Sequence, residues 1–308
     1  MALLEVKNLK VHYPIRGGIL GRIVGYVKAV DGISFELEPG ETLGLVGESG
    51  SGKSTTGKAI LGLAQITSGE IFFEGKNITD SIEKNRSPYR KSVQMIFQDV
   101  NSSMNPRKRV LDIIAEPIRN FERLTKLEES KRVDELLRIV GLNPSDAQKY
   151  PFEFSGGQRQ RVGVARAIAL KPKLIVADEP VSALDLSVQA QVLNYMKAIQ
   201  EEMGLAYLFI SHDLGVVKHM CENLVIMHAS RFVEIGTRKD VYENPTHIYT
   251  RRLIAAIPDI DPLLRDESFK TRESLTAEYE ERRFDFYKED GSVYDLKPLS
   301  ETHYVATP

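Results

Sequence analysis

Residues 47–55 read GESGSGKST and follow directly on the apolar run TLGLV at 42–46. Glycine gives up the most backbone freedom on ordering, so it is poor material for a strand or a helix. Three of these nine residues are nevertheless glycine, at a place where a buried strand should meet a helix. Gly47, Gly52, Lys53 and Ser54 fit the pattern G-x-x-x-x-G-K-[ST]. The flanks fit as well. TLGLV is continuous in apolar character, as in a strand covered on both faces, and the period becomes helical from Lys53 to Leu63.

That pattern in that context predicts a phosphate-binding loop. Successive N–H groups can surround a triphosphate only if no Cβ stands between them and the oxygens, hence the glycines. The helix starting near Lys53 adds unpaired N–H groups and the positive end of its dipole. Gly47, Glu48, Ser49, Gly50, Ser51, Gly52 and Thr55 are expected to line the cradle for ATP. Lys53 would reach the β- and γ-phosphates and Ser54 would ligate Mg2+.

A second stretch, KLIVADEP at 173–180, supplies carboxylates. An apolar strand delivers Asp178 and Glu179 at its C-terminal end, where open α/β sheets bind ligands. Asp178 is expected to hold Mg2+ through water, which leaves Glu179 to polarise an attacking water.

Composition bounds the rest. The 308 residues suit one large domain, or a core with an appendage, and 42% hydrophobic residues suffice for a core. A formal charge of -2 gives no overall basic field for nucleic acid. The one cysteine, Cys221, excludes an internal disulfide and a four-cysteine cluster, and is expected to be a small core residue. The opening MALLEVKNLK carries charges where a signal peptide needs an apolar stretch, and no run of about 18 apolar residues occurs.

Along the chain, LLEVKNLKVHY and ISFELEPGE alternate as strands, and GEIFFEG and SVQMIFQD read as further strands. From about 101 to 157 helical spacing dominates. Beyond it strands and helices alternate to about Ile257, which implies a largely parallel sheet. After Pro258, expected to stop the helix IYTRRLIAAI, the text reads as acidic and irregular, with GSVYDLKPLSETHYVA as a terminal hairpin. Nothing in residues 263–308 carries a motif, so they are expected to be dispensable for nucleotide chemistry.

FEFSGGQRQRVGVARAIAL at 152–170 places Ser155 and two glycines before a helix, a second anion-binding helix start. SGGQ before an R-x-x-[VI]-A-R-A helix closely resembles the signature of ATP-binding-cassette (ABC) ATPases. Gln98 at a strand end, SALD at 182–185 and His212 in ISHD stand in that family's order. The resemblance spans about residues 3–257; Phe154 replaces the commoner leucine before SGGQ.

It implies a P-loop NTPase cassette of α/β class: a RecA-like parallel core, an antiparallel β subdomain and a helical subdomain at about 101–157. Residues 1–257 would be the cassette and 258–308 a C-terminal extension. Two cassettes would pack head to tail, with Ser155, Gly156, Gly157, Gln158 and Asp185 completing the partner's ATP site. Gln98 would join the Mg2+ ligands and the catalytic set with Glu179 and His212. Tyr13 would stack on adenine, with Tyr26 as the alternative.

Cassettes of this kind drive transporters, DNA-repair machines and translation factors. Here only about a hundred residues separate loop and signature, too few for the long coiled coils of repair cassettes. One cassette and no fused membrane span suit a separate importer ATPase. ENPTHIYTRRLIAAIPDIDP at 243–262 resembles the C-terminal signature of oligopeptide and dipeptide permease ATPases. The insert HYPIRGGILGRIVGYVKAVDG at 12–32 resembles their F-type subunits, though its glycines and basic residues also suit a solvated hairpin tip. The resemblance thus implies oligopeptide import at the cytoplasmic face of the cell membrane. The partners would be a homologous D-type ATPase, two permeases and an extracytoplasmic peptide-binding protein, with no nucleic acid. Dipeptide, nickel or another small solute remains an alternative cargo, as does a cassette that binds ATP with little turnover.

Overall fold

The structure is a computed structural model that describes residues 1–18, 21–82, 88–257 and 265–308. Pro258 and Pro262, and Ile19 and Leu20 of the hairpin insert, lie outside the described residues. The strands are β1 (Leu4–Gly17), β2 (Arg22–Leu37), β3 (Thr42–Val46), β4 (Ser68–Phe73), β5 (Lys76–Asn77) and β6 (Val93–Ile96). Beyond the helical insert come β7 (Leu174–Asp178), β8 (Ala206–Ser211), β9 (Asn223–His228), β10 (Arg231–Thr237), β11 (Leu296–Pro298) and β12 (Tyr304–Ala306). The helices are α1 (Lys53–Ile60), α2 (Pro88–Ser92), α3 (Val100–Ser103), α4 (Val110–Phe121), α5 (Lys126–Ile139) and α6 (Gly156–Ile168). They continue with α7 (Leu186–Met203), α8 (Leu214–Met220), α9 (Arg238–Glu243), α10 (Ile248–Ala255) and α11 (Arg265–Phe286).

Among the described residues the strands form two sheets. The smaller, in the order β2-β1-β4-β5, is antiparallel. The larger runs β11-β12-β10-β9-β3-β8-β7-β6, and its β9-β3-β8-β7-β6 portion is parallel. Both faces of that portion are covered, which is why β3, β7 and β8 are buried at every residue. Alternation along each strand divides the core in two. Leu174, Val176, Leu208 and Ile210 face the antiparallel sheet and α1. Ile175, Ala177, Tyr207 and Phe209 face the helices beyond. Between 101 and 157 the described elements are helical, as expected; α5 opens with a Thr125–Glu128 capping box. Cys221 is a buried core residue against Gly44.

One expectation about the C-terminal part needs correction. The stretch read as irregular carries α11, a 22-residue helix. It is rich in charge, and its inward residues reduce to a few, Tyr279 and Phe286 among them, so an apolar stripe is hard to see in the sequence. Glu278–Arg282 is one i,i+4 pair supporting it. The terminal hairpin does form, but as part of the core sheet: Val305 pairs with Glu234 and Tyr304 with Ile235. Val293, Val305 and Ala306 are fully buried. The tail is therefore a structural edge of the core sheet.

Candidate functional site

The loop at 47–55 connects β3 to α1 at the C-terminal edge of the parallel strands. Its glycines answer first to the protein itself. A Cβ on Gly47 would lie 2.1 Å from the Met227 carbonyl oxygen, and one on Gly52 2.2 Å from that of Ala29. Gly52, the residue before α1, also has φ of 111°, which L side chains rarely adopt. Lys53 is buried, and its Nζ donates to the carbonyls of Gly47 (2.7 Å) and Glu48 (2.8 Å). Burial pulls its pKa below the ordinary lysine value. Ser51 is buried with an unpartnered hydroxyl, while Glu48, Ser49 and Gly50 are exposed and Thr55 is half-buried.

Both carboxylates lie where expected, at the end of β7. Ser54 Oγ donates to Asp178 Oδ1 at 2.8 Å. Burial pushes the Asp178 pKa up. A buried cation held below its usual pKa stands close to a buried acid held above its own. Both charged forms lack the solvation that a triphosphate and a divalent cation would replace. The Ser54 hydroxyl, the Asp178 carboxylate and the Gln98 amide oxygen are hard oxygen donors, as Mg2+ requires. Gln98 uses its nitrogen on Glu179 (2.6 Å), which turns its oxygen free of that contact.

Glu179 sits in the left-handed region, with φ of 47°. A non-glycine residue there costs about 1–3 kcal/mol and persists only where surroundings enforce it. Its N–H donates to the Ile210 carbonyl of β8, and its carboxylate bridges Gln98 and His212, the latter at 2.9 Å. The expected catalytic set is therefore assembled from three separate strand ends.

Ser155 caps α6 reciprocally with Gln158: its Oγ accepts from the Gln158 N–H, and Gln158 Oε1 accepts from the Ser155 N–H. Ser155 and Gly156 are exposed, as is Asp185. Gly157 is buried; a Cβ there would meet Val188 of α7 at 2.2 Å. The signature thus packs against the start of α7 just after SALD, and Gly156 lies beside Leu184 of SALD itself.

Register separates the tyrosines. Tyr13 pairs with Val27, and Pro14 with Tyr26, so the two rings stand on opposite faces of the hairpin. Tyr13 shares its face of β1 with buried Leu9 and Val11. That face is the cassette side.

Contacts that sequence reading missed come from residues far from the loop in the chain. Met227 and Ala29 pack on the loop glycines, and Tyr249 and Arg252 of α10 bond to Glu48. No local pattern announces them, since each depends on strands or helices meeting far from their place in sequence.

Residues 30–182 match the ABC transporter family model, and residues 233–284 match the model of the oligopeptide/dipeptide transporter C-terminal region. The chain is 56% identical over 306 residues to the oligopeptide transport ATP-binding protein OppF of Lactococcus lactis subsp. lactis (strain IL1403), covering 99% of this chain and 96% of that one. It is 52% identical over 257 residues to the oligopeptide transport ATP-binding protein AppF of Bacillus subtilis (strain 168), covering 83% and 78%. Among solved structures it resembles the dimeric post-hydrolysis state of the ATP-binding cassette MJ0796 bound to ADP and Pi. There the TM-score is 0.66 at 26% identity, over 76% of this chain and 98% of that one.

Proposed function

This chain belongs to the ABC transporter ATPases, and we propose that it is the ATP-hydrolysing subunit of an oligopeptide importer of the F type. The observation that carries the reading is the Glu179 carboxylate held between Gln98 and His212, beside the Ser54–Asp178 pair. A cassette that only binds nucleotide has no use for a carboxylate strained and bridged in this way.

The triphosphate of ATP would take the N–H groups of the 47–55 loop. Lys53 would leave the carbonyls of Gly47 and Glu48 for the β- and γ-phosphates. Mg2+ would be held by Ser54, Gln98 and, through water, Asp178, and when bound it supplies charge neutralisation at the phosphates. Glu179 would accept a proton from the attacking water, oriented by Gln98 and His212. Tyr13 is the residue we assign to the adenine.

The edge of Ser155, Gly156, Gln158 and Asp185, backed by buried Gly157, would face the nucleotide of a second cassette. L. lactis OppF and B. subtilis AppF are named for oligopeptide transport, and the MJ0796 cassette is a dimer. These similarities support a head-to-tail pair with a homologous D-type ATPase, docked on two permeases that receive peptide from an extracytoplasmic binding protein. They support a peripheral position at the cytoplasmic face of the membrane; no helix among the described residues is long and apolar enough to cross one. We keep residues 1–257 as the cassette and 258–308 as an extension that shares its sheet.

The test is reconstitution of the chain with D-type ATPase, permeases and binding protein, followed by ATP hydrolysis and labelled-peptide uptake. Peptide-stimulated hydrolysis with uptake is expected. Hydrolysis stimulated by nickel and indifferent to peptide would overturn the cargo, and absence of turnover would overturn the enzyme.

A further inference from the structure

Three side chains tie one residue of the phosphate loop, besides the bond its carbonyl accepts from the Ser51 N–H. The Glu48 N–H donates to Tyr249 Oη at 2.9 Å, its carboxylate accepts from Arg252 Nη2 at 2.6 Å, and its carbonyl accepts from Lys53 at 2.8 Å. Two of the three partners belong to α10, outside the nucleotide motifs. Helix α10 is itself locked to the C-terminal extension. The Arg252 guanidinium lies 4.2 Å over the Tyr279 ring of α11, and Arg251 pairs with Glu278. Tyr249 is fully buried, with its ring centroid 4.1 Å from that of His228, and His228 Nδ1 is bonded to Tyr287 Oη at 2.9 Å. An unbroken path of contacts therefore runs from the tail to the loop.

We propose that Tyr249 is a positioning residue for nucleotide binding, with Arg252 as its support. The inference rests on the reading of 47–55 as the phosphate loop. Lys53 holds the loop's own carbonyls here and must release them to reach a phosphate. The Glu48 peptide then loses one of its anchors, while the Tyr249 bond keeps its N–H fixed. The N–H groups beyond it stay arranged for an anion, and ordering cost is removed from the binding step. Neither Tyr249 nor Arg252 bonds to Asp178, Glu179 or His212, so the effect falls on affinity and leaves the chemical step alone.

The experiment compares Tyr249→Phe, Arg252→Ala and Lys53→Ala in the full chain. It measures fluorescent-ATP affinity, melting temperature without nucleotide, and KM and kcat in the reconstituted complex. Tyr249→Phe should raise Kd and KM roughly three- to tenfold, the net worth of one hydrogen bond, with kcat near wild type. A lowered melting temperature with unchanged Kd and KM would overturn the proposal in favour of a structural role, and so would a fall in kcat at constant KM. Arg252→Ala, at a more exposed site, should move Kd the same way, and combining it with Glu48→Ala should add nothing further. Additive effects would remove Arg252 from the device. Lys53→Ala separates the premises. If it too binds ATP normally, the phosphate-loop reading fails; if it alone loses ATP, only the role of Tyr249 does.

Discussion

His212 Nδ1 lies 2.9 Å from Glu179 Oε1, with the histidine half exposed and the carboxylate buried. The other carboxylate oxygen is taken by Gln98, so the orientation of Glu179 is set from both sides. The Glu179→Gln amide keeps the shape but cannot accept a proton. ATP binding should persist while turnover falls about 10²–10⁴-fold, the usual worth of a general base. His212→Ala should lower turnover with binding retained. Single-turnover hydrolysis at the wild-type rate in Glu179→Gln would remove Glu179 from the base role.

Lys53→Ala removes a buried cation whose depressed pKa reflects missing solvation. Charge-assisted contacts to phosphate are the strong ones, so tight nucleotide binding should be abolished. Fluorescent-ATP titration measures this; unchanged affinity would contradict the loop assignment.

Gly156 and Gly157 are not equivalent targets. A Cβ at Gly156 meets only the end of the Leu184 side chain, at 3.3 Å, whereas at Gly157 it collides with Val188. Gly156→Asp should therefore fold and still bind ATP through its own loop. Its carboxylate would face the γ-phosphate held by the partner. Two anions about 4 Å apart at an effective dielectric near 20 repel by roughly 4 kcal/mol, enough to block closure. Mixed with wild-type partner and permeases, the mutant should silence the site whose loop lies on the partner. Normal hydrolysis there, with ATP lost from the mutant chain, would show that the signature acts within one chain.

Removing residues 263–308 should destabilise the cassette. His303 Nε2 is bonded to Glu234 Oε1 at 2.7 Å, and Glu234 is fully buried. Glu234 still accepts from the Thr246 and His247 N–H groups, so losing this bond costs about 0.5–1.5 kcal/mol, before the apolar surface under Val293, Val305 and Ala306 is exposed. Thermal unfolding of the shortened chain should occur well below that of the full one. Equal melting temperatures would show that the tail does not support the core.

Stability should also fall with mild acid. Burial lowers His228 from 6.5 to about 4 and His247 to about 3. Glu48, Arg252, Tyr249 and Tyr287 surround His228, and His228, Phe286 and Tyr287 face His247. Between the folded values and 6.5 the unfolded chain binds protons that the folded chain does not, so stability rises with pH. It is complete above about 6.5 and declines toward pH 4, by up to about 1.4 kcal/mol per unit for each histidine. Urea midpoints at pH 7 and pH 5 measure the decline, which should shrink in His228→Gln. A midpoint independent of pH would show that these rings are not held neutral.

The candidate nucleotide site was legible because its chemistry is local. A glycine-rich turn, a lysine and a serine in contiguous positions set their own backbone path. An apolar strand ending in Asp178 and Glu179 likewise announces which edge of a sheet it serves. The helical insert and the parallel core followed from periodicity. Helix α11 did not, because its surface is almost entirely charged and little of it faces the core.

The sequence by itself determined the fold class, the proposed phosphate loop and the order of the proposed catalytic residues. The tertiary structure alone decided that Gln98 and His212, 81 and 33 residues from Glu179, grip the same carboxylate. It alone decided that Met227 and Ala29 are what the loop glycines make room for, and that the tail completes the core sheet. The reason is physical. Local backbone preference is written in neighbouring residues, whereas a contact across the sheet exists only once two apolar faces have found each other, and no short stretch of sequence records that meeting.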